Sequence, residues 1–288
     1  MKILKSLRVK QWLKNLPIFM PSITAGVLNI DLFFELLTLF FSFSLIVSST
    51  YIFNDLVDLE SDKVHPVKKY RPIASGYLTT SHWIFISALC LVVGKLVLYT
   101  VNTELLIFST VYLILTVSYS LKFKYVKFLD IFTISFLFLL RILIGGPPFK
   151  IPITNELYIF VFFICLGIVC GKKLSIRNNS TIIDNLTKNF LISKYSNTVL
   201  VITIYISFLI SSLIYLRWIL ITKQIFITDQ NPLYLISSFM FLLIFKLVFI
   251  VESLKYRTED IFDLLSSNIR FQLSLLFFLI MSIIGVVQ

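Results

Sequence analysis

Apolar runs long enough to cross a bilayer recur along almost the whole of this chain. A hydrocarbon core about 30 Å thick needs ~20 apolar residues in helical form. Backbone that crosses it must satisfy its own polar groups, which leaves helices or closed barrels. The runs here are continuous rather than alternating, so they call for helices. Read in order they predict nine spans, at about 15–30, 33–53, 83–101, 105–121, 129–146, 157–172, 198–219, 233–253 and 270–287. Composition closes the soluble alternative. Hydrophobic residues make up 58% of 288 positions, 29 of them Phe, and mean hydropathy is +0.92. The expectation is an all-α integral membrane protein, one domain over residues 1–288.

The net charge of +11 would suit nucleic acid if the bases were clustered on one soluble face. They lie instead in short loops between apolar runs, the distribution that sets membrane orientation. Nucleic acid is therefore not an expected partner; membrane lipids are. With the N-terminus on the cytoplasmic side, inside segments hold 20 Lys and Arg, and outside segments only Lys150, Arg217 and Lys223. This predicts a multi-pass cell-membrane protein with a cytoplasmic N-terminus. The basic-then-apolar start resembles a signal peptide. Pro17 and Pro21 interrupt it and no small-x-small site follows, so it is expected to be retained. Cys90, Cys165 and Cys170 all lie inside apolar runs and read as small buried hydrophobes.

Against this background one island of charge stands out. Four of the fifteen acids fall between Asp55 and Asp62, and four bases follow by Arg71. On a helix, Asp55, Asp58 and Asp62 share a face, as do Asn54, Asp58 and Asp62. Asn54 and Asp55 directly follow the apolar LIVSSTYIF, so they sit near headgroup level, where an unpaired acid is costly. A plain solvated helix end is the competing reading. Clustered carboxylates suit Mg²⁺, which takes few protein carboxylates and completes its shell with substrate phosphates.

The loop His65–Gly76 adds phosphate-binding chemistry. Two prolines and a glycine restrain it while Lys68, Lys69 and Arg71 present donors. Arg71 is the most pointed of these, because arginine makes bidentate contacts with phosphate. His65 reads as a loop hydrogen-bonding residue rather than a general base. Tyr119 through Asp130 forms a second basic loop, with Lys122 placed to pair with a diphosphate. Lys124 and Lys127 read equally well as loop charge, and Asp130 as an acid at a helix N-terminus. Arg141 lies inside the fifth span and needs an anionic partner from protein or ligand. Lys172 and Lys173 close the sixth span at the same membrane face. Lys95 and Lys246 lie near mid-span, where internal pairing and an anionic ligand account for them equally. Trp12 among bases reads as an interfacial anchor.

The set Asn54, Asp55, Asp58 and Asp62 matches the NDxxDxxxD motif, and the chain resembles the UbiA superfamily of intramembrane transferases. That resemblance implies a nine-helix bundle with a cytoplasmic-face active site, Mg²⁺, and a substrate diphosphate held by those residues. Members include oligomers, though no association motif is readable here. Within the superfamily the chain is similar to a branch that moves phosphoribosyl groups. It shows Arg8, Lys10, Gln11, Trp12, Lys14 and Asn15 at one motif of that branch. Asp62, His65, Pro66, Lys68, Arg71, Pro72, Ile73, Ala74, Ser75 and Gly76 stand at another. Tyr119, Ser120, Lys122, Asp130, Arg141, Gly145 and Gly146 continue the likeness. The second half departs from the pattern: after Lys172 and Lys173 no acid comes until Asp184. Near the end Asn268 stands where an aspartate is usual, with Glu259, Asp260 and Asp263 close by.

The implied reaction transfers 5-phosphoribosyl from phosphoribosyl diphosphate to a polyprenyl phosphate and releases diphosphate. Asp55, Asp58 and Asp62, with Asn54, would hold Mg²⁺. Lys14, Lys68, Arg71, Tyr119, Lys122, Arg141, Lys172 and Lys173 would bind substrate. Two alternatives stand beside it. One is prenyl transfer from a prenyl diphosphate to an aromatic or other acceptor. The other is transport of a lipid phosphate, for which no paired Gly/Pro-broken repeats are visible.

Overall fold

Six helices among the described residues are long and apolar enough to cross a membrane. They are Ile30–Val57, Thr80–Val101, Glu104–Leu121, Leu129–Phe149, Asn155–Arg177 and Asn197–Trp218. The computed structural model describes residues 2–65, 68–178 and 193–225, with isolated helical positions between 239 and 280. Every regular element among them is helical. The helices are α1 (Lys2–Ser6), α2 (Met20–Thr24), α3 (Ile30–Val57), α4 (Leu59–Val64), α5 (Thr80–Val101), α6 (Glu104–Leu121), α7 (Leu129–Gly145), α8 (Asn155–Asn178) and α9 (Asn197–Ile225). The second to seventh expected spans are all present. The eighth and ninth lie largely outside the described residues, so the count of nine is not established.

The first expected span takes another form. Residues 15–30 are not one α-helix. A 3-10 helix, Val9–Phe19, runs into α2, and the chain turns at Gly26 (φ 66°) before α3. Pro17 and Pro21 lack the N–H groups an α-helix needs. At about 2.0 Å per 3-10 residue and 1.5 Å per α residue, Val9–Thr24 covers about 30 Å, the thickness of a hydrocarbon core. It runs antiparallel beside α3, with Arg8 against Asp55, Trp12 against Ser48, Asn15 against Ser44 and Phe19 against Phe40. A three-residue repeat keeps Trp12, Asn15 and Ile18 on one line, and Asn15 and Ile18 are fully buried. Trp12 thus packs inward, its indole donating to Ser48 Oγ at 2.9 Å, rather than acting only as an interfacial anchor.

Backbone packing divides the chain into two units, Met1–Ile153 and Thr154–Gln288. In the first, α3 and α5 approach closely through small residues, as membrane helices do. A side chain on Gly94 would meet Ile46 at 2.7 Å and the carbonyl of Ser42 at 2.8 Å. The hydroxyls of Ser49 and Ser87 meet at 3.1 Å along the same seam. Lys95, on the neighbouring face of α5, donates to Thr110 of α6 at 2.7 Å, which is the pairing role. Leu36, Leu39, Phe43, Ile46, Tyr112 and Leu140 fill the core between α3, α6 and α7.

Arg141 crosses that core. Its guanidinium donates to Asn15 Oδ1 (2.8 Å), Leu137 O (2.8 Å) and Tyr112 Oη (2.9 Å), and lies over the rings of Phe138 and Tyr112. These partners are neutral, where an anion was expected. Three acceptors and two π faces solvate the charge in place of water. The network ties the 3-10 segment to α6 and α7.

In the second unit α8 and α9 run antiparallel, with Glu156 paired to Arg217 at 3.4 Å and Arg177 bonded to Asn197. Lys246 is buried and donates to Phe208 O, Ser211 Oγ and Ser212 Oγ at 2.7–3.0 Å. The three cysteines are buried reduced thiols, as expected.

Candidate active site

The acidic island sits where α3 ends. Asp58 leaves the α region (φ −88°, ψ 4°) and α4 restarts at Leu59. The break is slight. The Asp58 N–H still donates to Asn54 O at 3.0 Å, and the Asp62 N–H to Asp58 O at 2.8 Å. It nevertheless re-sorts the acids. One unbroken helix would place Asp55, Asp58 and Asp62 on one face. Instead Asp55 and Asp62 turn inward, 4% and 2% exposed, while the Asp58 carboxyl stays 26% exposed.

Each set has its own cations. Arg71 Nη1 bridges the inward pair, 2.6 Å from Asp62 Oδ2 and 3.1 Å from Asp55 Oδ1. Arg8 Nη2 reaches the same Asp55 oxygen at 2.5 Å. Lys68 Nζ stands 3.9 Å from Asp62 Oδ1. Asp58 is bound by Lys124 Nζ at 2.5 Å and accepts from Asn54 Nδ2 at 3.3 Å. Tyr119 lies within electrostatic reach of Asp58 and Asp130. Buried carboxylates without such partners would be costly.

Local structure holds these cations in place. Ile73, packed with Ile52 and Trp83, pins the loop beside Arg71 to α3 and α5. The Arg71 N–H donates to Lys68 O, and His65 Nδ1 accepts from the Lys68 N–H at 3.2 Å, the loop role expected of it. Arg8 has a left-handed backbone (φ 50°, ψ 45°), a conformation that costs a non-glycine residue about 1–2 kcal/mol. Its surroundings fix it there: Ser48 donates to Leu7 O at 2.7 Å, and the Arg8 guanidinium lies 4.8 Å from the Tyr51 ring centroid. A cavity of about 310 Å³ opens beside it, lined by Lys5, Ser6, Arg8, Asp55, Tyr70 and Arg71.

The expected substrate-binding residues divide. Asn54, Lys68, Arg71 and Tyr119 gather at the acids. Lys122 does not: it ends α6, is exposed, and makes no ion pair among the described residues. The 3-10 turn Phe123–Tyr125 folds Lys124 back onto Asp58 instead. Asp130 caps locally, accepting from the Ile131 N–H at 2.8 Å. Lys14 neighbours Asn15, which pairs at Ser44, about 16 Å along α3 from Asp55. Arg141 joins that same lower layer. Lys172 and Lys173 belong to the second unit, half-buried near the end of α8, with Lys173 over the Tyr195 ring. Asp184, Glu259, Asp260, Asp263 and Asn268 lie outside the described residues.

Sequence reasoning left Arg8 out of the site. The signal was its place in RVKQWLKN, but nothing local shows that this segment ends against Asp55.

The acids fit a hard divalent cation by their donor chemistry, carboxylate and amide oxygen. Arg71 Nη1 already marks a point where positive charge is stabilised by both Asp55 and Asp62. Among the described residues no three His, Cys, Asp or Glu side chains converge as a preformed metal centre.

Comparison with known proteins gives the chain its relatives. The profile of the UbiA prenyltransferase family matches residues 16–174. The protein y4nM of Sinorhizobium fredii is 37% identical over 169 residues, 57% of this chain and 33% of that protein. The decaprenyl-phosphate phosphoribosyltransferase of Mycolicibacterium smegmatis is 30% identical over 176 residues, 59% of this chain and 55% of that enzyme. The chain thus spans about half, or less, of the length of these relatives. The structure of a UbiA homologue from Archaeoglobus fulgidus bound to GPP and Mg²⁺ is 15% identical, with a TM-score of 0.64 over 100% of this chain and 97% of that one. This last is a likeness of fold. With its family profile matched over more than half its length and its acids at the end of a membrane helix, this chain is a multi-pass membrane protein that belongs to the UbiA prenyltransferase family.

Proposed function

We propose that the chain, acting as a single transferase domain, moves a 5-phosphoribosyl group from phosphoribosyl diphosphate to a polyprenyl phosphate. One observation carries the reading: four bases from three separate segments, Arg8, Lys68, Arg71 and Lys124, end on three carboxylates at one mouth. Such a site carries both the acids for a cation and the donors for a diphosphate. The choice of phosphoribosyl over prenyl donor rests on the named relatives.

The chemistry follows from the residues. The bond from ribose C1 to the diphosphate oxygen breaks, and its electron pair leaves with diphosphate. A phosphate oxygen of the lipid forms the new bond to C1. That acceptor is already an anion, so no general base is needed, in keeping with a chain of two histidines. Asn54, Asp55, Asp58 and Asp62 would hold Mg²⁺, which would supply charge neutralisation for the leaving diphosphate. Arg8, Arg71, Lys68 and Lys124 exchange their carboxylate partners for phosphate oxygens, and Arg71 does so in bidentate fashion. Tyr119 orients the same group through its hydroxyl. The apolar bundle holds the prenyl tail, and the mouth faces the cytoplasm, following the Lys and Arg count.

The test is a donor assay. Purified protein with Mg²⁺ should release diphosphate from phosphoribosyl diphosphate only when polyprenyl phosphate is present. The second reading, prenyl transfer, is favoured by the fold shared with the homologue bound to GPP and Mg²⁺. It replaces the first if prenyl diphosphate is the donor consumed.

A further inference from the structure

The cavity beside Arg8 extends past the acids to Lys5 and Ser6, and its lining there is unusual. Ser6 is 2% exposed and its buried hydroxyl has no hydrogen-bond partner among the described residues. A buried hydroxyl left unpaired costs about 1–3 kcal/mol, so such groups normally have a partner. Lys5, Arg8 and Arg71 line the same space, and Tyr70 adds a phenol at its rim. Arg8 and Arg71 converge on one oxygen of Asp55, so part of each guanidinium's donor capacity remains for another acceptor. Counting Lys68, which stands at Asp62, the group holds four bases against two acids. The excess of two positive charges matches a phosphate monoester, which carries about −1.5 to −2 at neutral pH.

We infer that this cavity is a second phosphate site, adjoining the acid-bound one and sharing Arg8, Asp55 and Arg71 with it, which takes the phosphate monoester that is not lost in the reaction. Lys5 and Ser6 supply its dedicated contacts. Arg8 and Arg71 are shared with Asp55 and so link occupancy of the cavity to the acids. The source of the monoester, the soluble sugar phosphate or the lipid phosphate, rests on the phosphoribosyl reading. The presence of the site does not.

The experiment uses the purified full chain in detergent. Binding is measured by calorimetry for ribose 5-phosphate, polyprenyl phosphate and inorganic diphosphate. Lys5→Gln/Ser6→Ala is compared with wild type and with Lys127→Gln, an exposed loop base. The double change should weaken one monoester at least tenfold and leave diphosphate within twofold. Loss of ribose 5-phosphate assigns the cavity to the sugar phosphate, and loss of polyprenyl phosphate assigns it to the lipid. If neither monoester weakens more than twofold, or Lys127→Gln weakens it as much, the inference is wrong. Should the double variant fail to fold, Lys5→Gln alone decides by the same limits, because that side chain is exposed. A donor assay that finds prenyl diphosphate consumed would overturn the phosphoribosyl reading and leave this binding result standing.

Discussion

Arg8 and Asp55 are 47 residues apart in the chain and 2.5 Å apart in the fold. The contact closes the upper end of the antiparallel pair made by the 3-10 segment and α3. It also puts a second guanidinium on an acid that Arg71 already holds. Arg8→Ala should therefore lower turnover of the proposed donor at least tenfold while costing only about 1–3 kcal/mol in stability, because Asp55 keeps one partner. Arg8→Lys should recover stability more than activity, since an ammonium cannot reproduce the planar fork. Diphosphate release and thermal unfolding in detergent, measured on both variants, separate the two effects.

The two sets of acids predict different costs. Asp58 is partly exposed and Asp62 is buried against Arg71. Asp58→Asn and Asp62→Asn should each reduce Mg²⁺-dependent turnover by about a hundredfold or more, the scale of lost electrostatic stabilisation. Only Asp62→Asn should also lower the melting temperature clearly, because it strips charge from a buried pair. Near-normal turnover with both changes would sink the enzyme reading, and a chelator should abolish wild-type activity.

Lys124 and Lys122 give a sharp comparison. Lys124→Gln removes the partner of Asp58 and should slow turnover at least tenfold. Lys122→Gln should change it less than threefold. Equal effects in a steady-state assay would mean that Lys124 pairs with Asp58 without functional weight.

Gly145 should tolerate no side chain. A Cβ there would lie 2.7 Å from the carbonyl carbon of Ile18 and nearer still to its oxygen. Backbone cannot yield as a flexible side chain can, so Gly145→Ala should detach the 3-10 segment from α7. Overpacking of this kind costs about 1–3 kcal/mol or more. Reduced yield of folded protein by size-exclusion chromatography is the readout.

Arg141 and Asn15 should behave as one unit. Arg141→Gln and Asn15→Leu should each destabilise the chain by about 1–3 kcal/mol. The double change should cost less than the sum, because residues in one network do not add. Thermal melts of the four proteins complete the cycle.

Much of this architecture was legible in the sequence, and the reasons are physical. The spans from α3 to α9 follow from run length alone, since the bilayer demands it. The acids were legible because a carboxylate next to LIVSSTYIF has few inexpensive explanations. What was hidden depends on small rotations. A break of one residue at Asp58 splits three acids into two sets, and no helical wheel contains it. The three-residue turn after α6 exchanges Lys122 for Lys124. Arg141 looked as if it needed an anion because a sequence does not show that Asn15, Tyr112 and Leu137 O surround it. Arg8 was hidden most fully, because its place depends on a 3-10 segment whose length differs from the α-helix that hydropathy suggests.

That segment makes the first residues of the chain a measuring rod. Between Asn15, held by Arg141, and Arg8, held by Asp55, each residue that rewound from 3-10 to the wider α form would draw the two ends about 0.5 Å closer. Seven such steps amount to about 3.5 Å, enough to lift the guanidinium off the carboxylate. The winding of the stretch below Arg8 therefore sets the reach of the cation above it, and a one-residue insertion or deletion between Val9 and Lys14 should be read at Asp55.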